Sequence, residues 1–137
     1  NRRSVYLFAR RVYPLKFLEI FDAPIMPVNC TQRMNSSTVL QSLALMNSEF
    51  LLAEAGRMAS RVTEFNREEI RSQIKYAFSI VYSREAGDSE LTNSLAFLDE
   101  QRRGYESMGI ATDKARQASL ADFCQMLLAS NEFLYVE

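Results

Sequence analysis

The sequence predicts an all-α fold: a compact bundle of about five to six helices behind an irregular, proline-containing N-terminal segment. Three observations carry this reading. From residue 36 onward, apolar residues recur three and four apart in one segment after another, the period of a helix with one buried face. Small polar residues followed three positions later by Gln, Glu or Asp stand at the heads of these segments, as helix starts require. All three prolines, Pro14, Pro24 and Pro27, fall before residue 36. Strand-like alternation comes nearest at Val5 to Phe8 and does not extend further.

Each element follows from local chemistry. Ser4 to Tyr13 can form a short helix that Pro14 closes, because the residue before proline is pushed out of the helical region. Leu15 to Phe21 can add a helical turn or two. Asp22 to Asn35 reads as an extended loop with two X-Pro steps. Thr38 with Gln41 fits a capping box and opens a helix over 38–46, with Val39, Leu40 and Leu43 inward. Asn47 and Ser48 mark a break and a new cap. The next helix, 48–64, carries Leu51, Ala55, Met58, Val62 and Phe65 on one face. Asn66 with Glu69, flanked by Phe65 and Ile70 as a hydrophobic staple, starts a helix over 67–83 with Ile70, Ile74, Ala77 and Val81 inside.

Gly87 and Asp88 mark a turn before a helix over 89–103, with Leu91, Leu95 and Leu98 inward and Asp99, Arg102 and Arg103 paired on the surface. Residues 104–117, with Gly104 and Gly109, read as a loop. Ser119 with Asp122 opens a last helix over 118–130, whose apolar side is Leu120, Phe123, Cys124, Leu127 and Leu128. The tail Asn131 to Glu137 is apolar enough to dock. "NSEFLL" at 47–52 echoes "SNEFLY" at 130–135; a duplicated hairpin and shared capping chemistry both account for it.

The chain has 137 residues, 47% hydrophobic and 24% charged, which suits one domain, 1–137, made of a segment 1–35 and a helical core 36–137. Such a chain buries roughly two thirds of its unfolded surface and needs no metal or disulfide to fold. The net charge of −1 argues against the basic footprint of a nucleic-acid binder. No apolar run reaches the roughly 18 residues of a membrane span. There is no histidine, and the two cysteines, Cys30 and Cys124, lie far apart, so no metal site is expected. The chain begins at Asn1 rather than Met, and it reads as a piece of a longer protein.

Lysine stands only at 16, 75 and 114; the other thirteen cations are arginine. Compositional bias explains this most simply. Arg3, Arg10, Arg11 and Arg33, with Asp22 as orienter, are the candidate ligand-binding residues. Arg3 and Arg10 lie seven apart on one side of a short helix, interleaved with Tyr6, Phe8 and Tyr13. Such a surface can hold a carboxylate, sulfate or phosphate by forked contacts, or stack on a sugar. A solvated or interface face is the simpler alternative. Asp22 suits a turn better than catalysis. Cys30 lacks a histidine partner and reads as buried or disulfide-linked, and Cys124 reads as core. Ser36, Ser37 and Thr38 read as capping residues. Arg67, Arg71 and Lys75 read as a solvated face. No catalytic residue is assigned.

Several segments together resemble a known family. They are "RRSVYLFARR" with "FDAP", the surroundings of Cys30 and Arg33, "SSTVLQSLALMNSEFLL", "IKYAFSIVYSREAGDSEL" and "LADFCQMLLASNEFLYVE". The pattern is similar to the C-terminal part of planctomycete-specific domain one, a domain of unknown function. The matching motif residues are Arg2, Arg3, Tyr6, Arg10, Arg11, Asp22, Pro24, Cys30, Arg33 and Asn47. The resemblance implies a place in a large exported bacterial protein, beside cytochrome-c-like domains, and hence an extracytoplasmic location. It implies no activity. The C-x-x-C-H run that attaches haem is absent from this chain, so no cofactor is expected in it.

The leading expectation is therefore a non-catalytic C-terminal docking module. It would use 1–35 against upstream domains of the same parent protein, since arginine and aromatic residues are enriched at interfaces. The alternative is part of a binding or catalytic site for an anionic or carbohydrate ligand at the arginine cluster. A nucleic-acid module ranks last.

Overall fold

The computed structural model describes residues 20, 21, 39–67 and 69–134, without the side chains of Val39, Leu40 and Ser42. Among these residues the fold is all-α, with six helices: α1 Val39–Asn47, α2 Glu49–Phe65, α3 Ile70–Tyr82, α4 Asp88–Ser107, α5 Thr112–Leu128 and α6 Asn131–Leu134. The expected helix at 4–13, the loop 22–35, the strand candidate Val5 to Phe8 and the Thr38 cap lie outside the described residues, as does the expected helical stretch 15–21 apart from residues 20 and 21.

The chain divides into two units, Asn1–Leu45 and Met46–Glu137. In the first, Gln41 is buried, and its Nε2 donates to the carbonyl of Ile20 at 2.9 Å. Gln41 and Leu45, four apart, are the buried side chains of α1 there, while Leu43 is exposed. That corrects the expectation for Leu43, which lies about half a turn away from the Gln41–Leu45 row; the side chains of Val39 and Leu40, also expected inward, lie outside the described ones.

In the second unit α5 is central, packing on α2, α4 and α3. Ser48 caps α2, its Oγ accepting from the Leu51 N–H at 3.4 Å. Two side-chain bonds fix α2 antiparallel to α5. Near the start of α5, Arg116 Nη2 donates to the Arg67 carbonyl beyond the end of α2 (2.9 Å). Near its end, Gln125 Nε2 donates to the Met46 carbonyl just before α2 (3.0 Å). Both helices carry small buried residues four apart, Ala55 and Ala59 on α2 and Ala115 and Ser119 on α5. Small side chains set helix axes toward the close end of their packing range. The core comprises Ala55, Ala59 and Val62 of α2, Ile74, Ala77 and Phe78 of α3, Leu91 and Leu98 of α4, and Leu120, Phe123, Cys124 and Leu127 of α5.

Residues 104–117 are not a loop. α4 runs on to Ser107 and α5 begins at Thr112. Gly104 is helical, with open space where a Cβ would stand. Gly109 is the stop: its φ of +82° is a left-handed conformation that glycine adopts freely. Its N–H donates to the Glu106 carbonyl (3.0 Å) and that of Ile110 to the Tyr105 carbonyl (3.2 Å), the paired bonds of a Schellman end. The expected Ser119 cap is likewise corrected. Ser119 is buried within α5, its hydroxyl returned to the Arg116 carbonyl at 2.9 Å. The Asn66 signal is half right, since its Oδ1 accepts from the Glu69 N–H while the Glu69 carboxylate accepts from Ser72. Phe65 is exposed and stacks on Tyr76 at 4.0 Å, so the staple with Ile70 gives way to an aromatic pair.

Two outcomes check this core. Phe123 is fully buried, and Phe123→Ala should lower unfolding free energy by roughly 3–5 kcal/mol in chemical denaturation. Cys124 is a free, fully buried thiol, and burial pushes its pKa up to about 12. It should therefore resist a thiol reagent in the native state and react at once in denaturant.

Candidate functional site

The densest polar constellation in the described structure grows out of "SREAGDSE" at 83–90. α3 ends at Ser83, which takes φ 57° and ψ 26°, the left-handed region. A non-glycine residue costs roughly 1–2 kcal/mol there. The turn at Ser83 leads to Arg84, whose guanidinium carbon lies 5.5 Å from the Phe78 ring centroid and 5.3 Å from that of Tyr82. Gly87 then caps α4. Glycine has no side chain to offer, so only half of a capping box forms: Glu90 Oε2 accepts the Gly87 N–H at 2.8 Å.

All five guanidinium N–H donors of Arg84 are engaged. Nη1 and Nη2 donate to Glu90 Oε2 and Oε1 at 2.8 and 2.7 Å. Nε and Nη2 donate to Glu132 Oε1 and Oε2 at 2.6 and 2.9 Å. The remaining Nη1 donor reaches the Glu85 carbonyl at 3.0 Å. Two carboxylates thus take one cation in forked, planar geometry, and one residue ties the α3 end, the α4 start and α6 together. Beside it, Tyr82 Oη donates to Ser130 Oγ at 2.9 Å. Ser130 Oγ donates to the Leu127 carbonyl at 2.8 Å and accepts the Phe133 N–H at 3.2 Å.

The electrostatics follow from the contacts. The Arg84 hydrogen bonds, helped by the Gly87 N–H, hold the Glu90 carboxyl down at about 2. Glu132 is lowered by its bonds to Arg84, against an opposing push from Glu90. Arg84 is raised chiefly by Glu90 and then by Glu132. Burial raises Tyr82, so its hydroxyl remains a donor. A second inter-helix bond, Tyr105 Oη to Asp122 Oδ2 at 2.8 Å, joins α4 to α5, and Asp122 holds the Tyr105 pKa up. Asp99 pairs with Arg102 and Arg103 at 2.6 Å each, as the spacing predicts.

The candidate ligand residues Arg3, Arg10, Arg11, Asp22 and Arg33, together with Cys30, lie outside the described residues. Arg67, Arg71 and Lys75 are exposed, as a solvated face should be. The Arg84 cluster is the polar centre that sequence reasoning missed. Glu90 carries a local signal, three residues after a glycine that caps a helix. Glu132 stands 48 positions from Arg84, and no local pattern announces that pairing. Among the described residues no group of carboxylates and cysteines could hold a metal ion, and no helix is long and apolar enough to cross a membrane.

Fold and site together define a helical bundle whose principal polar cluster is an internal clamp, with its donors turned onto its own carboxylates. The chain belongs to the PSD1 family, proteins of unknown function (DUF1553), whose profile it matches over residues 1–98. The match takes in Arg84 and Glu90 and stops before α5, Ser130 and Glu132. No curated protein and no solved structure matches the chain.

Glu90 supplies a test of the clamp. Its folded pKa of about 2 lies below the ordinary 4.5. The stabilisation is therefore complete above about pH 4.5 and is lost as pH falls toward 2. Thermal melts across that window should show a fall in the midpoint that is clearly shallower in Glu90→Gln, whose midpoint at pH 7 should lie below that of the parent.

Proposed function

We propose that this chain is a non-catalytic interaction module that docks against upstream domains of the same, larger, extracytoplasmic protein and forms its C-terminal part. The observation that supports the reading most is the set of large apolar side chains left in solvent where the second unit begins. Met46 is 65% exposed, Phe50 57% and Leu52 48%. The Gln125 bond to the Met46 carbonyl brings the end of α5 alongside, and Met126 there is 45% exposed. Single exposed apolar residues are ordinary; four at one end of a helix pair are the raw material of an interface. The inward-turned donors of Arg84 agree with a structural rather than a ligand-binding role for that cluster. The upstream partner, the C-terminal placement and the location rest on the family resemblance of the sequence.

Titration calorimetry of the chain with its upstream region supplied in trans tests the proposal. Binding is expected, and Met46→Glu with Phe50→Glu should weaken it at least about tenfold while leaving the helical circular dichroism unchanged. Absence of binding, or binding untouched by the double substitution, would sink the docking surface. A melting-temperature rise with an acidic glycan that disappears in Arg10→Ala would replace it with the anion-binding reading.

A further inference from the structure

α6 is held differently from the helices before it. None of its four residues is buried, and among the described residues none enters the hydrophobic core cluster. It packs on α3 and α5 with Leu134 half-buried, and its side-chain bonds are polar: the fork from Arg84 to Glu132 and the bond from Tyr82 to Ser130 just ahead of it. Phe133, its largest apolar side chain, is 40% exposed. Arg84, by contrast, stays anchored without α6, through both oxygens of Glu90 and the Glu85 carbonyl.

We propose that α6 is a releasable latch, an electrostatically fastened helix that undocks from Arg84 on acidification while the α2–α5 bundle stays folded. The two carboxylates on Arg84 are not equivalent. Glu90 is fixed by Arg84 and by the Gly87 N–H, whereas Glu132 accepts from Arg84 and sits beside the negative charge of Glu90. The charged and titratable groups that interact with Glu132 are Arg84, Glu90 and Tyr82. Of these only Arg84 attracts its charge, so Glu132 takes up a proton before Glu90 does. Protonation removes the charge from one fork and leaves the other intact. Release opens the Nε–Nη2 edge of Arg84, a planar donor pair of the shape that accepts a carboxylate.

Amide hydrogen exchange on the full chain, corrected for intrinsic rates, tests the latch. In Glu132→Gln the Phe133 and Leu134 amides should exchange at least about tenfold faster, with those of Phe123 and Cys124 unchanged. The unsubstituted chain should show the same selective loss as pH falls below about 4.5, since Arg84 lowers the Glu132 pKa from that value, which frees the result from any folding defect of the variant. Unaltered protection of Phe133 and Leu134 in both experiments would overturn the proposal. So would a proportional loss at Phe123, which would make α6 part of the cooperative bundle.

Discussion

A guanidinium has five donors in one plane, a fork that two carboxylates and a carbonyl can fill completely. Arg84 lies against the Phe78 and Tyr82 rings with 39% of its side chain in solvent, so burial does not force the choice of acceptors; the elements that meet there provide them. The α4 start brings Glu90 to one side and α6 brings Glu132 to the other, while the intervening turn offers the Glu85 carbonyl. The left-handed Ser83 is the local conformational cost of that placement. Its consequence travels inward through aromatic contacts. Phe78 meets Tyr82 edge-on at 5.3 Å and lies 6.4 Å from Phe123, which lies 6.4 Å from Phe97. The clamp and the apolar core are therefore one connected assembly, spanning α3, α4 and α5.

The same assembly bears on where the structural unit ends. The family match stops at residue 98, within α4. Yet Leu120, Phe123, Cys124 and Leu127 are core, and Ala59 and Val62 of α2 are fully buried in a helix that packs on α5. Cutting the chain after residue 98 would strip α5 from α2 and expose their small-residue faces. It would also leave Arg84 without Glu132. In physical terms the bundle includes α5, whatever segment carries the family's sequence signal.

Most helices were legible because their signals are local. Ser48 caps where a polar residue precedes an apolar period, and Leu91, Leu95 and Leu98 turn inward because they step by three and four. The misreadings share one cause, which is that a local cue has more than one meaning. Gly104 and Gly109 look alike in sequence, but only Gly109 occupies a conformation that needs glycine. Ser119 has the spacing of a cap, yet its hydroxyl is equally satisfied inside a helix by a carbonyl one turn back. Leu43 is apolar and exposed, while Gln41 is polar and buried because its amide finds the Ile20 carbonyl. The Arg84–Glu132 pair was invisible for a different reason. It joins residues 48 positions apart, and only the packing of α3 against α6 brings them together.

Charge balance decides what kind of centre the Arg84 cluster is. An anion-binding site keeps positive charge unspent until its ligand arrives, whereas here one cation already faces two carboxylates. The surplus is negative, and a further anion approaching the cluster would meet Glu90 and Glu132 before it met a free donor. Any anion that binds must therefore displace a carboxylate rather than join it, and the carboxylate with fewer donors is the one that can leave. That asymmetry makes Glu90 part of the scaffold and Glu132 part of what the scaffold can let go. It also moves the search for a partner surface away from this cluster, to the apolar side chains around Met46 and Phe50.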